Sequence, residues 1–232
     1  MRPPPPLDSH SDIAEPTRSP EEQAQVRRQR TLDALEGVNA QLLELLCAQA
    51  REPVEHFPFG QSVRSRLAML SDHDRSQMAR FGVLLVDAGF SDPHRWRAAT
   101  GGAGLGDNDP AAGPVPHWLS EQDGILLAHS TLLVAWSVLQ WKRDEAALLL
   151  GMCQETADVI ATLGVKQLSD LAQRKRHWVQ PRWTQIPHAW VDLIEFAQKR
   201  GPLSASYGTL RCLQLTGGHS LLLEALASAP DR

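Results

Sequence analysis

Capped, periodic apolar segments constrain this chain most strongly, because they favour helices and little else. The first segment begins at Ser19-Pro20-Glu21-Glu22, which combines an N-cap hydroxyl, proline at the first helical position and Glu three residues after the cap. One helical face then recurs at intervals of three and four, formed by Leu32, Leu35, Val38, Leu42, Leu45, Leu46 and Ala50. Strand signals such as Asn-Gly hairpins and alternating β-branched runs are almost absent. The sequence therefore predicts an all-α fold, a helical bundle.

Proline and glycine divide the chain into four parts. Residues 1–18 are rich in proline, serine and charge, and we expect a disordered arm there because few apolar groups offset the entropy of ordering. An N-terminal helical unit follows over residues 19–100. The Gly- and Pro-rich run 101–116 is typical of a flexible linker. Residues 117–232 form a C-terminal unit with extra helices at its end.

Caps and glycine stops predict the helices within each unit. Gln61–Leu70 and Asp72–Val86 are expected to be helices with Ser71 as the cap between them. In the second unit, Ser120 opens a long helix to about Leu150. Shorter helices are expected near 152–163, 166–178, 187–200 and 218–228.

The two units share an order of motifs at an offset near ninety residues. The matching motifs are Leu42-Leu43 with Leu132-Leu133, Phe59-Gly60 with Leu150-Gly151, and Pro93-His94-Arg95-Trp96 with Pro181-Arg182-Trp183. This pattern predicts a degenerate tandem repeat, in which residues 38–97 and 129–184 superpose about a pseudo-two-fold. A chance similarity between helical patterns is the alternative.

Composition restricts the compartment and the kinds of partner. The net charge of −4 excludes a chain-wide basic character, so any nucleic-acid contact must come from a local patch. Three widely spaced cysteines suggest neither a disulfide framework nor a zinc site. The proline-rich amino terminus lacks the apolar core of a signal peptide. Polar residues within Ile125–Trp141 favour a buried helix over a membrane span. We expect a cytoplasmic protein without a membrane segment.

Catalytic and cofactor motifs are not evident in the sequence. No His-Glu-x-x-His or Gly-x-Ser-x-Gly pattern occurs, and His129 lies in apolar surroundings typical of a core histidine. The glycine run Gly101–Gly106 has no preceding strand and no following Gly-Lys-Ser/Thr, so it favours a linker over a phosphate loop. We expect a non-enzyme without cofactor or metal.

A basic and aromatic segment is the main candidate site. Residues 174–183 hold four fixed positive charges and no acid, and such clusters suit phosphate contacts with aromatic stacking beside them. The predicted DNA-binding residues are Arg174, Lys175, Arg176 and Arg182. A solvated helix end is the alternative. Three tryptophans, Trp136, Trp141 and Trp183, are predicted at a partner interface, with packing in the core as the alternative.

The preceding residues 154–172 have the helix, glycine turn and helix of a helix-turn-helix. Three positions depart from that motif. Ile160 occupies the buried small position, and Asp170 and Gln173 occupy positions that are usually apolar. A second helix that reads bases directly is therefore not expected.

A longer stretch resembles a known family. Its motifs are Leu132-Leu133-Val134-Ala135, Asp144 to Gly151, Glu155-Thr156-Ala157-Asp158, Leu163, Gln167-Leu168, Leu171-Ala172 and Arg182-Trp183. Over residues 129–184 they resemble FlhD, the D subunit of the bacterial flagellar master transcriptional activator. The resemblance implies an all-helical dimeric regulator that acts on promoter DNA with a second, zinc-containing subunit. This chain is about twice as long, and its weaker copy at residues 38–97 would be an internal partner.

Two functions follow as expectations. The first is a transcriptional regulator of the FlhD-like type that binds promoter DNA with a protein partner subunit. The second is a helical adaptor that binds only protein, such as a partner of a secretion or conjugation system. A homodimer of the chain is compatible with both.

Overall fold

The computed structural model describes residues 19–54, 56–101, 118–140, 143–199 and 203–227. In these residues the helices are α1 (Pro20–Arg51), α2 (Gln61–Ala68), α3 (Asp72–Ala79), α4 (Pro93–Thr100), α5 (Glu121–Leu139), α6 (Arg143–Leu150), α7 (Gln154–Ala161), α8 (Val165–Arg174), α9 (Pro187–Gln198) and α10 (Ser204–Ala227). Of the described residues 73% are helical and 2% are in strands, which confirms the all-α prediction. The expected arm at 1–18 and all of the expected linker except Gly101 lie outside the described residues.

The predicted caps begin the helices to which they were assigned. The Ser19 hydroxyl accepts a hydrogen bond from the Glu22 amide, and the Glu22 carboxylate accepts one from the Ser19 amide. The same reciprocal pair joins Ser71 and Asp74 at the start of α3. These bonds satisfy amides that the first helical turn leaves without partners.

One hydrophobic core holds both units. The long helices α1 and α5 pack against each other at its centre, α3 packs on α1, and α8 packs on α5. Asn39 of α1 is fully buried, and its amide donates to the carbonyls of Ala79 and Val83 and accepts from the Leu85 amide. Through these bonds α1 holds the non-helical segment after α3.

Several predicted helix ends were wrong. The helix expected over Asp72–Val86 ends at Ala79, because the chain turns at Gly82, with φ +70. Val83, Leu84 and Leu85 are then fully buried outside any helix, before the two-residue strand β1 (Val86–Asp87). The helix expected from Ser120 to Leu150 breaks into α5 and α6. Helix α10 begins at Ser204, well before the predicted start near 218, and α4 was not predicted.

The order of elements repeats along the chain at a nearly constant offset, while the superposition of residues 38–97 and 129–184 stays a prediction. Helices α2 and α7 begin at Gln61 and Gln154, and α3 and α8 begin at Asp72 and Val165, so both pairs are 93 residues apart. Strands β1 and β2 (Gln180–Pro181) are 94 residues apart and pair antiparallel, Val86 with Pro181 and Asp87 with Gln180. Each strand therefore pairs with its own counterpart, as a two-fold axis between them requires.

The last helices of the repeats are exchanged between the units. Helix α4 packs on α7, and its counterpart α9 packs on α2. Both helices begin with proline, at Pro93 and Pro187, after residues with nearly identical backbone angles. The units are therefore interleaved around the shared core, as an internal dimer would be.

Helix α5 is the described helix that is long and apolar enough to cross a membrane. Leu127, Ala128, Leu132 and Ala135 are buried in the core, where α5 packs on α1, α7 and α8. This burial agrees with the predicted buried central helix.

Candidate nucleic-acid interface

Helix α8 positions the predicted basic segment at its end. Leu168, Leu171 and Ala172 form its buried face and pack towards α5. The helix ends at Arg174, and a short 3-10 turn over Arg176–Trp178 follows. Three cations are thereby placed together at one helix end, and we call Arg174, Lys175 and Arg176 the α8 patch.

The cations of the α8 patch are held at different depths. Arg174 is exposed, and its Nε donates to the Asp170 carbonyl oxygen at 3.3 Å. Lys175 and Arg176 are half-buried. Arg176 forms an ion pair with Glu121 at 3.3 Å, and its aliphatic stem lies against Gly124 of α5. Because Glu121 is largely exposed and 38% of the Arg176 side chain remains exposed, the Arg176 charge stays accessible to an anion.

A buried tryptophan adds a cation from the other unit to the α8 patch. Trp178 is 4% exposed, and the Arg95 guanidinium lies over its ring with 4.3 Å from Cζ to the centroid. The Lys175 Nζ lies 5.8 Å from the same centroid. Both distances suit attraction between a cation and the face of the ring. Arg95 belongs to α4, so the basic surface spans the two units, a feature that the sequence segment alone did not predict.

The expected stacking of bases on these aromatics was wrong. Trp178 packs edge-on against Trp96 at 5.3 Å between ring centroids, and Trp183 is 8% exposed. Neither ring offers a free face to a nucleobase. The surface can therefore contact nucleic acid only through its cations.

Arg182 does not lie on this surface, and the expectation that it contacts DNA was wrong. Its side chain is 7% exposed, and its guanidinium donates to the Leu84 carbonyl at 3.1 Å and to the Thr216 hydroxyl at 3.2 Å. Burial lowers the pKa of this guanidinium, and nearby Asp87 partly opposes that effect. The group joins the segment before β1 to α10, so its role is to hold the fold.

The tryptophans predicted at a partner interface differ in burial where the structure describes them. Trp183 is buried in the core of its own chain, so that prediction was wrong for this residue. Trp136 is half-buried and packs against the core, and its role at an interface stays a prediction. Trp141 lies outside the described residues.

Helices α7 and α8 have the order of a helix-turn-helix, with Thr162–Gly164 between them. Asp170 and Gln173, which such a motif would bury, are exposed, and Ile160 is fully buried. His129 of α5 is half-buried and shares a hydrogen bond with Ser169 of α8 at 3.1 Å. The packing of α8 on α5 and this hydrogen bond hold α8 in place.

An exposed apolar surface on α10 was missed at the sequence level. Tyr207 and Leu210 lie three residues apart on α10, Leu203 lies directly before the helix begins, and each of the three is more than half exposed. We call them the α10 stripe. Tyr207 also stacks on Phe196 of α9, with 6.2 Å between ring centroids. The sequence predicted this helix near 218–228, so residues 203–210 were not considered as a helical face.

Within the part of the chain that the structure describes, no group of three or more His, Cys, Asp or Glu side chains could hold a metal ion. Comparison with protein-family models, curated proteins and solved structures gives no match to this chain. The likeness to FlhD therefore stays a prediction from the sequence.

Proposed function

We propose that this chain is a cytoplasmic, DNA-binding regulator of transcription of the FlhD-like type, and that it contacts DNA through the α8 patch. The observation that carries the proposal is the surface itself. Arg174, Lys175 and Arg176 adjoin Arg95 of the other unit on a protein whose net charge is −4. Concentrated cations on an acidic chain favour a specific anionic partner.

Backbone phosphates suit this surface better than base edges do. Cations displace condensed counterions from DNA and so bind regardless of sequence. The aromatic rings beside them are covered, and α8 exposes Asp170 within the turn before Arg174, which would oppose a close approach of the whole helix to DNA. The chain would thus position itself on DNA, and sequence selection would come from the partner subunit.

The interleaved units favour the FlhD-like proposal over a single DNA-binding module. The resemblance implies a dimeric regulator, and here two related units share one core within one chain. A chain of this kind would supply both halves of the dimer by itself. The inferred partner is then a zinc-containing subunit of the activator.

Neutralising the α8 patch tests the proposal. Changing Arg174, Lys175 and Arg176 together to Ala should weaken binding to a promoter fragment and reduce the slope of log K against log salt by about 0.9 for each phosphate that the variant no longer neutralises. Fluorescence anisotropy over a salt series measures both. The fold should persist, since the change of exposed Arg174 costs about 0.5 kcal/mol or less and a surface ion pair such as Arg176–Glu121 contributes about 1 kcal/mol or less.

A matched control distinguishes an effect of the α8 patch on DNA binding from an effect of the protein's total charge. Arg66, Arg143 and Lys199 are largely exposed cations outside the α8 patch, and their joint change to Ala removes the same net charge. We expect the control to retain the wild-type salt slope. Equal affinity and slope in the α8 variant and the wild type would leave the patch as a solvated helix end and reject the proposal.

The α10 stripe favours the second candidate function, a helical adaptor. Leu203, Tyr207 and Leu210 present an apolar helical face of the kind that docks on protein grooves. If the wild type lacks DNA affinity but forms a stable protein complex that Leu203→Ser and Leu210→Ser together abolish, the adaptor function is correct. If that double variant keeps its protein partner, the stripe is not the docking face.

A further inference from the structure

We infer that the chain carries a second phosphate-contacting surface on α1, formed by Arg27, Arg28 and Arg30, which we call the α1 patch. The inference rests on the proposed function and adds a site to it. It begins from the repeated element order, in which the end of α8 follows the end of α3 at the same place in the second unit, and from the pairing of β1 with its counterpart β2. A surface that contacts DNA on one unit therefore has a counterpart position on the other.

The first turns of α1 do not pack into the hydrophobic core. No residue between 20 and 34 is buried, and Leu35 is the first buried side chain of the helix. The capping box at Ser19 and the internal hydrogen bonds of the helix hold this segment. Because packing does not select its side chains, the composition of its surface has another cause.

Charge along this segment is unevenly placed. Glu21 and Glu22 lie in the first turn, where they complement the helix dipole. Arg27, Arg28 and Arg30 follow within four residues and are all exposed. Ion pairs among the described residues include neither Arg28 nor Arg30. Arg27 and Arg30 are three residues apart on one side of the helix, where like charges repel each other, so a purely solvating face would be better served there by mixed signs.

The packing of α1 places this cluster beside the end of α3. Leu32, one turn after Arg28, lies against Gly82, where an added Cβ would be 3.8 Å from the leucine Cδ2. One turn further on, Glu36 forms an ion pair with Arg80 at 2.9 Å. The α1 patch therefore continues outward from the end of α3, by one to two turns of helix.

The same arrangement surrounds the α8 patch. At the end of α8, the Arg176 side chain lies against Gly124 of α5 and forms an ion pair with Glu121. At the end of α3, Leu32 of α1 lies against Gly82 and Glu36 of α1 forms an ion pair with Arg80. The offset of 93 residues between α3 and α8 takes positions 174–176 to 81–83, which carry no charge, and Phe81 is buried beneath Gly208 of α10. On the N-terminal unit, α1 supplies the cations that the end of α3 lacks.

Salt-dependent binding of the full chain to a labelled random-sequence duplex tests the inference. Three variants are compared with the wild type: Arg27, Arg28 and Arg30 to Gln; Arg174, Lys175 and Arg176 to Gln; and the control Arg66, Arg143 and Lys199 to Gln. All remove three positive charges. We expect the α1 and α8 variants each to lose at least tenfold in affinity and to bind with a shallower salt slope, while the control keeps the wild-type slope. Circular dichroism checks that all four remain helical.

The outcomes distinguish this inference from the proposed function. If the α8 variant is weakened while the α1 variant matches the control, the α1 patch is a solvated helix and the inference fails alone. If the wild type itself has no affinity for DNA, the proposed function fails and the inference fails with it. If the α1 variant alone is weakened, the inference stands and the α8 patch has been assigned wrongly.

Discussion

Arg182 shows that neighbouring residues in the sequence did not predict the burial of one side chain. Four basic residues within nine positions predicted one surface, yet Arg182 is buried while the three before it are not. Its guanidinium lies where a side chain on Gly151, with φ +62, would overlap it, and it bonds to groups of Leu84 and Thr216. These partners are 31 to 98 residues away along the chain, so no local pattern could indicate them.

The backbone conformation of Trp183 leads to a testable prediction about stability. It has φ 55, a left-handed conformation that costs a residue with a Cβ about 1–2 kcal/mol, and its counterpart in the first unit, Gly89, has φ 69. Trp183→Ala should destabilise the fold by about 3–5 kcal/mol, because a buried aromatic is removed. Trp183→Gly should destabilise it by about 1 kcal/mol less, because glycine accepts this conformation. Urea unfolding of both variants measures the difference, and a glycine variant less stable than the alanine variant would contradict this account.

At the scale of elements, local signals predicted helix starts better than helix ends. Ser19, Ser71 and Ser120 each accept a hydrogen bond from a first-turn amide, which depends only on residues three positions apart. The end of α3 depends instead on Asn39, which lies 40 to 46 residues away and holds the following segment out of the helix. Apolar periodicity continued past this point and extended the predicted helix too far.

Helix α10 gives the prediction for an element. Gly208 packs so closely on the buried ring of Phe81 that an added Cβ would overlap it. Gly208→Ala should therefore destabilise the protein by about 1–3 kcal/mol through overpacking, although alanine normally favours a helix. The control is Gly37→Ala in α1, which meets no atom within 4 Å and should stabilise the protein by up to about 1 kcal/mol. Thermal unfolding compares the two, and a stabilising effect at Gly208 would refute the close packing of α10.

For the whole molecule, the sequence repeat matches the order of elements in the structure but did not predict the exchange of α4 and α9 between the units. The offset of about ninety residues is repeated in the bounds of three helix pairs and in the strand pair. The exchange of α4 and α9 between the units was not predictable, because it depends on contacts between helices that are far apart along the chain. This exchange is what brings Arg95 to the basic surface of the C-terminal unit.

Hydrogen–deuterium exchange of the full chain with and without duplex DNA tests most directly that the α8 patch is the DNA-binding surface. We predict that DNA slows amide exchange over residues 165–178 and leaves residues 204–217, which include most of the α10 stripe, unchanged. Increasing salt should remove the protection as binding weakens. Binding of DNA without protection at residues 165–178 would contradict the account.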